Sequence, residues 1–249
     1  MTNTAPKTFT PEELKAISQS FAGKPTEELL RWAIDTFYPD LTLACSFGGI
    51  SGMVLLNMVM SINKNVEVFY LDTDYLFPET YDLVARTSEK YGFKPTAYKS
   101  LLTPIQQAEQ HGAELWTRDP DACCAIRKVE PNKRAMEGKR AWITGIRRDQ
   151  TKNRASVDLV EWDSQFNVVK INAIAGWTEK QVWSYILAND IPYNPLHDRG
   201  YPSLGCTNCT KAVNLGDDPR SGRWADFDKD ECGLHLDEVL LPIVTTEQK

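Results

Sequence analysis

Several features are scarce in this 249-residue chain, and each scarcity excludes something. No run of basic residues exceeds two and the net charge is −6, so the footprint of a nucleic-acid-binding surface is missing. No apolar span is long enough to cross a bilayer, and the opening residues, Met1 to Lys7, contain no apolar export core. Six cysteines are too few for a disulfide scaffold in a chain of this length. Without an export signal they belong in a reducing compartment, and the cytoplasm is the expected location. Internal repeats and low-complexity tracts are missing too. What remains, 42% hydrophobic and 25% charged, is an ordinary globular balance, enough for one large domain or two small ones.

Local signals place the elements. Thr10-Pro-Glu-Glu13, Thr103-Pro-Ile-Gln106 and Thr178-Glu-Lys-Gln181 are capping boxes that open helices. Thr26 is expected to cap a helix over 27–38, with Leu29, Leu30, Ala33, Ile34 and Phe37 on one face. Pro78 opens a helix that Gly92 stops, and residues 124–136 read as one helix. Strand-like runs cover 41–46, 66–71, 94–98 and 141–144, with an edge hairpin from 157–162 and 167–171. Strands and helices alternate at crossover spacing, which predicts an α/β fold, a mostly parallel sheet with helices on both faces. The Asp-, Gly- and Arg-rich segment 217–231 reads as mobile.

The cysteines stand out within this frame. Cys123 and Cys124 are adjacent, and a disulfide between neighbours strains normal bridge geometry. On a helix adjacent side chains diverge by about 100°, so two such thiols share only a large partner. With Cys206-Thr-Asn-Cys209 they make four thiols in two local pairs, which points to an iron–sulfur cluster, or to tetrahedral zinc as the plainer alternative. Cys232 lies outside both pairs in an acidic tail, where its neighbours oppose thiolate formation. A catalytic role there requires the tail to dock against cations such as Lys128, Arg220 and Arg223. Cys45, in an apolar strand, reads as a core residue, and His111 and His197 as structural or surface groups.

Three loops follow strand-like runs: Ser46-Phe-Gly-Gly-Ile-Ser-Gly52, Leu71-Asp-Thr-Asp74 and Thr144-Gly-Ile-Arg-Arg-Asp-Gln150. The first lacks the Gly-Lys-Ser/Thr ending of a Walker loop, yet its glycines and the following helix N-terminus suit an anion. Ligands in parallel sheets sit beyond the C-terminal strand ends. Arg147, Arg148, Arg154, Arg220 and Arg223 gather near such loops and suit a small anionic ligand.

Taken together, Cys123-Cys-Ala-Ile-Arg-Lys128, Thr144-Gly-Ile-Arg-Arg-Asp-Gln150, Gly205-Cys-Thr-Asn-Cys209, Arg220-Ser-Gly-Arg223 and Glu231-Cys-Gly-Leu-His235 resemble the assimilatory sulfonucleotide reductases. The resemblance is greatest to the iron–sulfur adenylyl-sulfate (APS) reductases. It implies an adenine nucleotide α-hydrolase-like (PP-loop) fold, with N-terminal helices over 1–40, a nucleotide-binding domain over 41–215 and a mobile catalytic tail over 216–249. It also implies a [4Fe–4S] cluster on Cys123, Cys124, Cys206 and Cys209. The implied reaction is reduction of adenosine 5′-phosphosulfate to sulfite and AMP, in sulfate assimilation and cysteine biosynthesis. Cys232 would be the nucleophile, thioredoxin or glutaredoxin the reductant, and an S-sulfocysteine the intermediate. Ser46, Leu71, Gly145 and Arg154 would hold the nucleotide, with Lys128, Arg220, Arg223 and His235 around the phosphosulfate. Gly48 stands where the family usually carries a second serine, which bears on the choice between APS and its 3′-phosphorylated form, PAPS. Two readings of other classes compete. An iron–sulfur tRNA thiolase needs a basic face that this chain lacks, and a zinc-stabilised nucleotide-binding module leaves Cys232 and the arginines without a role.

Overall fold

A computed structural model describes residues 9–235. The ends of the expected N-terminal and C-terminal regions, 1–8 and 236–249, lie outside the described residues. Six strands form one sheet: β1 (Leu41–Ala44), β2 (Glu67–Asp72), β3 (Thr96–Lys99), β4 (Ala141–Ile143), β5 (Val160–Asp163) and β6 (Val168–Ile171). Their order is β3-β2-β1-β4-β6-β5, and only the β5–β6 pair at one edge is antiparallel. That is the expected mostly parallel sheet with an edge hairpin.

Both faces are covered because the central strands β1, β4 and β6 are buried on both sides. Leu41, Leu43, Val68, Ala141, Ile143, Val169 and Ile171 face one core, which holds α2 (Thr26–Phe37), α3 (Ile50–Ile62) and α8 (Glu179–Ala188). Their strand neighbours Phe69, Trp142 and Val168 point the other way, as the two-residue period of a strand demands. There they meet Ala135 and Met136 of α7 (Glu130–Met136). Helix α3 is buried almost all round and runs from the C-terminal end of β1 back under the sheet.

The three capping boxes form as expected, at the starts of α1 (Pro11–Ser20), α5 (Pro104–His111) and α8. Gly92 ends α4 (Pro78–Tyr91) in the left-handed conformation at φ 68°, where a Cβ is disfavoured. One expectation fails. Thr26 is the first residue of α2 rather than its cap: its hydroxyl is turned inward, accepting from Trp177 Nε1 at 3.0 Å and reaching Ala173 O at 3.5 Å. Residues 124–136 are helical as expected, but the helix starts earlier and is not uniform: α6 (Pro120–Cys124) runs through a π turn over Ala125–Val129 into α7. Pro131 has no N–H to offer the preceding turn, and the widened turn closes instead through Glu130 N–H to Ala125 O.

Candidate active site

The site is assembled at the C-terminal ends of β1, β2 and β4. Beyond β1 the chain turns through Phe47, at φ 53°, into the N-terminus of α3, whose first residues, Ile50 and Ser51, are buried at the cavity. Ser46 Oγ accepts the Gly49 N–H at 3.3 Å, which shapes this turn. The loop after β4 approaches so closely that a Cβ on Gly145 would stand 3.2 Å from the Gly52 backbone nitrogen. Arg147 locks the two loops together, donating to Ser51 Oγ at 2.6 Å and to Asp149 Oδ1 at 2.9 Å. Arg148 turns away from this site and donates to Val157 O. These loops floor a cavity of about 360 Å³ that also receives Leu71, Lys128, Arg220, Arg223, Cys232 and His235.

The described part of the tail closes over that cavity. Its main anchor is Glu231, whose carboxylate takes two bonds of 2.6 Å from the Arg154 guanidinium, a fork geometry suited to Arg and carboxylate. Thr151 adds a third at 3.2 Å, Arg220 donates to Asp230 O, and Lys229 pairs with Asp121. Leu234 packs on the second core, and His235 stacks on Trp142 with ring centroids 5.7 Å apart. Burial, followed by the charges of Arg154, Lys170 and Arg220, holds the His235 imidazole well below its ordinary value, so at neutral pH it is uncharged. Trp224 gathers cations: Arg223 lies 4.5 Å, Lys229 5.2 Å and Lys128 5.6 Å from its ring centroid. Among the described residues, the Nε atoms of Arg220 and Arg223 are buried without hydrogen-bond partners. Buried donors rarely stay unpaired, which fits an anionic ligand here.

The four paired cysteines line one small void beside the main cavity, and Lys128 borders both spaces. The end of β2 positions the second pair: Cys206 Sγ meets Thr73 Oγ1 at 3.3 Å, and Thr207 N–H donates to Tyr75 O at 2.8 Å. The first pair sits on α6, where Gln107 Nε2 reaches Cys123 Sγ at 3.7 Å. Burial pushes the Cys123 thiol up to about 11 and Cys124 to about 12, so as free groups they are neutral at physiological pH. Burial also pulls Lys128 down, but the sulfurs of Cys206, Cys124 and Cys232 outweigh it and hold the ammonium above its usual value. Among the described residues, no group of three or more His, Cys, Asp or Glu side chains is arranged for a single metal ion. Four soft donors around one void, two of them met by a hydroxyl or an amide, do fit a larger thiolate-bound group.

Every residue expected at the nucleotide or phosphosulfate lines the cavity, but not all are free to bind. Arg154 is engaged by Glu231 and by Gln150 Oε1 at 2.6 Å. Gly48 lies against Leu204, whose Cβ would be 3.1 Å from a Cβ at this position, and its carbonyl oxygen is 2.9 Å from His197 Nε2. The sequence reading missed Ser51, Thr73, Trp224 and Gln107. Thr73 was readable in principle, since it follows the strand-end Asp72; nothing local marked Gln107 or Trp224.

A parallel sheet with a glycine-rich turn at the N-terminus of α3, and a cationic cavity over the strand ends, defines a nucleotide-handling α/β protein of the PP-loop type. The phosphoadenosine phosphosulfate reductase domain model matches residues 40–212, and the chain belongs to that family. Among curated relatives, the adenosine 5′-phosphosulfate reductase of Salinibacter ruber is 47% identical over 223 residues, covering 89% of this chain and 88% of that protein. The protein of the same name from Shouchella clausii is 44% identical, covering 90% and 92%. A crystal structure of phosphoadenylyl-sulfate (PAPS) reductase from Candida auris, a phosphate complex, superposes with TM-score 0.71 at 30% identity, over 84% of this chain and 100% of that one. The FMN adenylyltransferase of Candida glabrata shares only the fold, with TM-score 0.57 at 15% identity.

Proposed function

We propose that this chain reduces adenosine 5′-phosphosulfate to sulfite and AMP, with Cys232 as nucleophile and thioredoxin or glutaredoxin as electron donor. One observation carries the reading: Cys232 lines the same cavity as the Ser46–Gly49 turn, Lys128, Arg220 and Arg223. The names of the bacterial relatives support APS rather than PAPS as substrate. The N-terminus of α3 and the Gly145 loop suit the nucleotide, and the unpartnered Arg220 and Arg223 nitrogens suit the phosphosulfate.

The chemistry has two halves. The Cys232 thiolate attacks the sulfate sulfur; an S–S bond forms, the S–O bond to phosphorus breaks, and AMP leaves with the electron pair. The cations around the cavity offset charge on the leaving phosphate. A dithiol then supplies two electrons. Its first thiolate attacks the Cys232 sulfur and expels sulfite, and its second resolves the mixed disulfide, which returns Cys232 to the thiol. Cys123, Cys124, Cys206 and Cys209 would hold a [4Fe–4S] cluster, which when bound would supply order and local charge beside Lys128 without net electron transfer. Iron and acid-labile sulfide analysis of anaerobically purified protein tests it; stoichiometric zinc in active protein refutes it.

The decisive experiment mixes enzyme with sulfur-labelled APS in the absence of thioredoxin. Label should remain on the Cys232 peptide and leave as sulfite when thioredoxin is added. Cys232→Ser should still bind nucleotide and form no adduct. Label on another cysteine, or sulfite from Cys232→Ser at the wild-type rate, would refute the assignment.

A further inference from the structure

We propose that Gln107 is a positioning residue for the group held by the cysteines: its side-chain amide, oriented by Arg127, donates a hydrogen bond to the Cys123 sulfur. The inference rests on the cluster reading above and concerns residues outside the four cysteines. Gln107 projects from α5 and is only 2% exposed; Arg127, in the π turn, is 1% exposed. Arg127 Nε donates to Gln107 Oε1 at 2.6 Å. A guanidinium has no acceptor, so the carbonyl end of the Gln107 amide must face it. The amino end is thereby aimed the other way, where Cys123 Sγ lies at 3.7 Å. The orientation of this amide is set by its partners rather than by chance.

Arg127 is itself fixed. Its Nη1 pairs with Asp74 Oδ2 at 2.9 Å, and its guanidinium lies 5.2 Å from the Tyr75 ring centroid. Asp74 is held in turn by Lys99 at 2.5 Å and by its own N–H to Asp72 Oδ1 at 3.0 Å. A continuous path therefore runs from the end of β2 through Arg127 and Gln107 to one sulfur. Neutral thiols accept hydrogen bonds weakly, whereas an ionised sulfur accepts well, so a buried amide aimed here is better matched to a metal-bound thiolate. The end of β2 also presents Thr73 to Cys206, so each cysteine pair has one sulfur met by a polar side chain.

Two substitutions separate donation to sulfur from mere packing. Gln107→Glu keeps an oxygen for Arg127 but removes the N–H and faces the sulfur with negative charge. Gln107→Leu loses both contacts. The anaerobically purified proteins would be followed by visible absorption, by electron paramagnetic resonance after reduction, and by iron release to a chelator. Gln107→Glu should release iron about 10-fold faster than wild type with a shifted sulfur-to-iron absorption band, and Gln107→Leu should fall between them. Iron-free wild type and iron-free Gln107→Glu should melt alike. A Gln107→Glu protein with wild-type spectrum and iron retention overturns the proposal, because Arg127 would then be all that Gln107 serves. An iron-free Gln107→Glu melting well below iron-free wild type overturns it too. Wild-type protein without iron defeats the cluster reading itself, before any variant is made.

Discussion

Two thiols outside the cysteine pairs meet opposite surroundings. Cys45 is fully enclosed beside Met53, and burial pushes it up to about 12 from an ordinary 9.0. Both border the cavity, but Cys232 is half-buried whereas Cys45 is only 1% exposed. Iodoacetamide at pH 8 should therefore label Cys232 and leave Cys45 unmodified, as peptide mapping by mass spectrometry will show. Cys45 also gives alkaline stability a sign. Between about 9 and about 12 the folded chain keeps a proton that the unfolded chain has released, so stability falls as pH rises through this window. The slope from one such group is about 1.4 kcal/mol per pH unit. Denaturant melts of Cys45→Ala should show a shallower alkaline decline than wild type, whatever the cost of the missing sulfur at pH 7. That Cys45 belongs to the core was readable from its apolar strand, and the paired cysteines from their adjacency. Gln107 was not readable, because its partner Cys123 is brought to it only when α5 and α6 fold together.

Among the elements, the tail depends on a few long-range contacts. Arg154 and Glu231 are 77 residues apart in sequence, and their side chains are 12% and 3% exposed. Truncating one partner of a buried pair strands the other, at a cost of about 3–5 kcal/mol. Glu231→Ala should therefore release the tail, read as faster amide exchange and tryptic cleavage over 216–235 with the rest of the chain unchanged. Acid should act in the same direction through His235. Its folded value lies below the ordinary 6.5, so its contribution is present above 6.5 and is lost as pH falls through the folded value. Protease protection of the tail should fall on acidification in wild type, and less so in His235→Phe, which keeps a ring against Trp142. The same distinction decides what the sequence discloses about elements. The capping boxes at Thr10, Thr103 and Thr178 were legible because both halves of each signal lie three residues apart. Thr26 misled because its partners, Ala173 and Trp177, lie 147 and 151 residues away. The acidic, glycine-rich tail reads as mobile for the same reason, since every contact that docks it is distant.

Over the whole molecule, the cysteine void joins the π turn and α6 to the segment at 206–209, across the end of β2. A group bound by all four thiolates would tie those pieces together, so its removal by chelation should lower the melting temperature. Cys209→Ser should lose iron and melt lower than wild type. Competition between APS and PAPS in one reaction should give the higher kcat/KM for APS; an equal or reversed preference would remove that assignment and leave the reductase reading intact. The docked tail has a further consequence, for timing. With Glu231 clasped, Cys232 faces a cavity of about 360 Å³, far too small to admit a protein dithiol. On the proposed mechanism, attack on the nucleotide and reduction by a protein dithiol would therefore require different tail positions, with one unclasping and one return in each turnover. The Arg154–Glu231 fork would then act as an escapement: held too long it would idle the enzyme, released too soon it would let the nucleotide go unreacted.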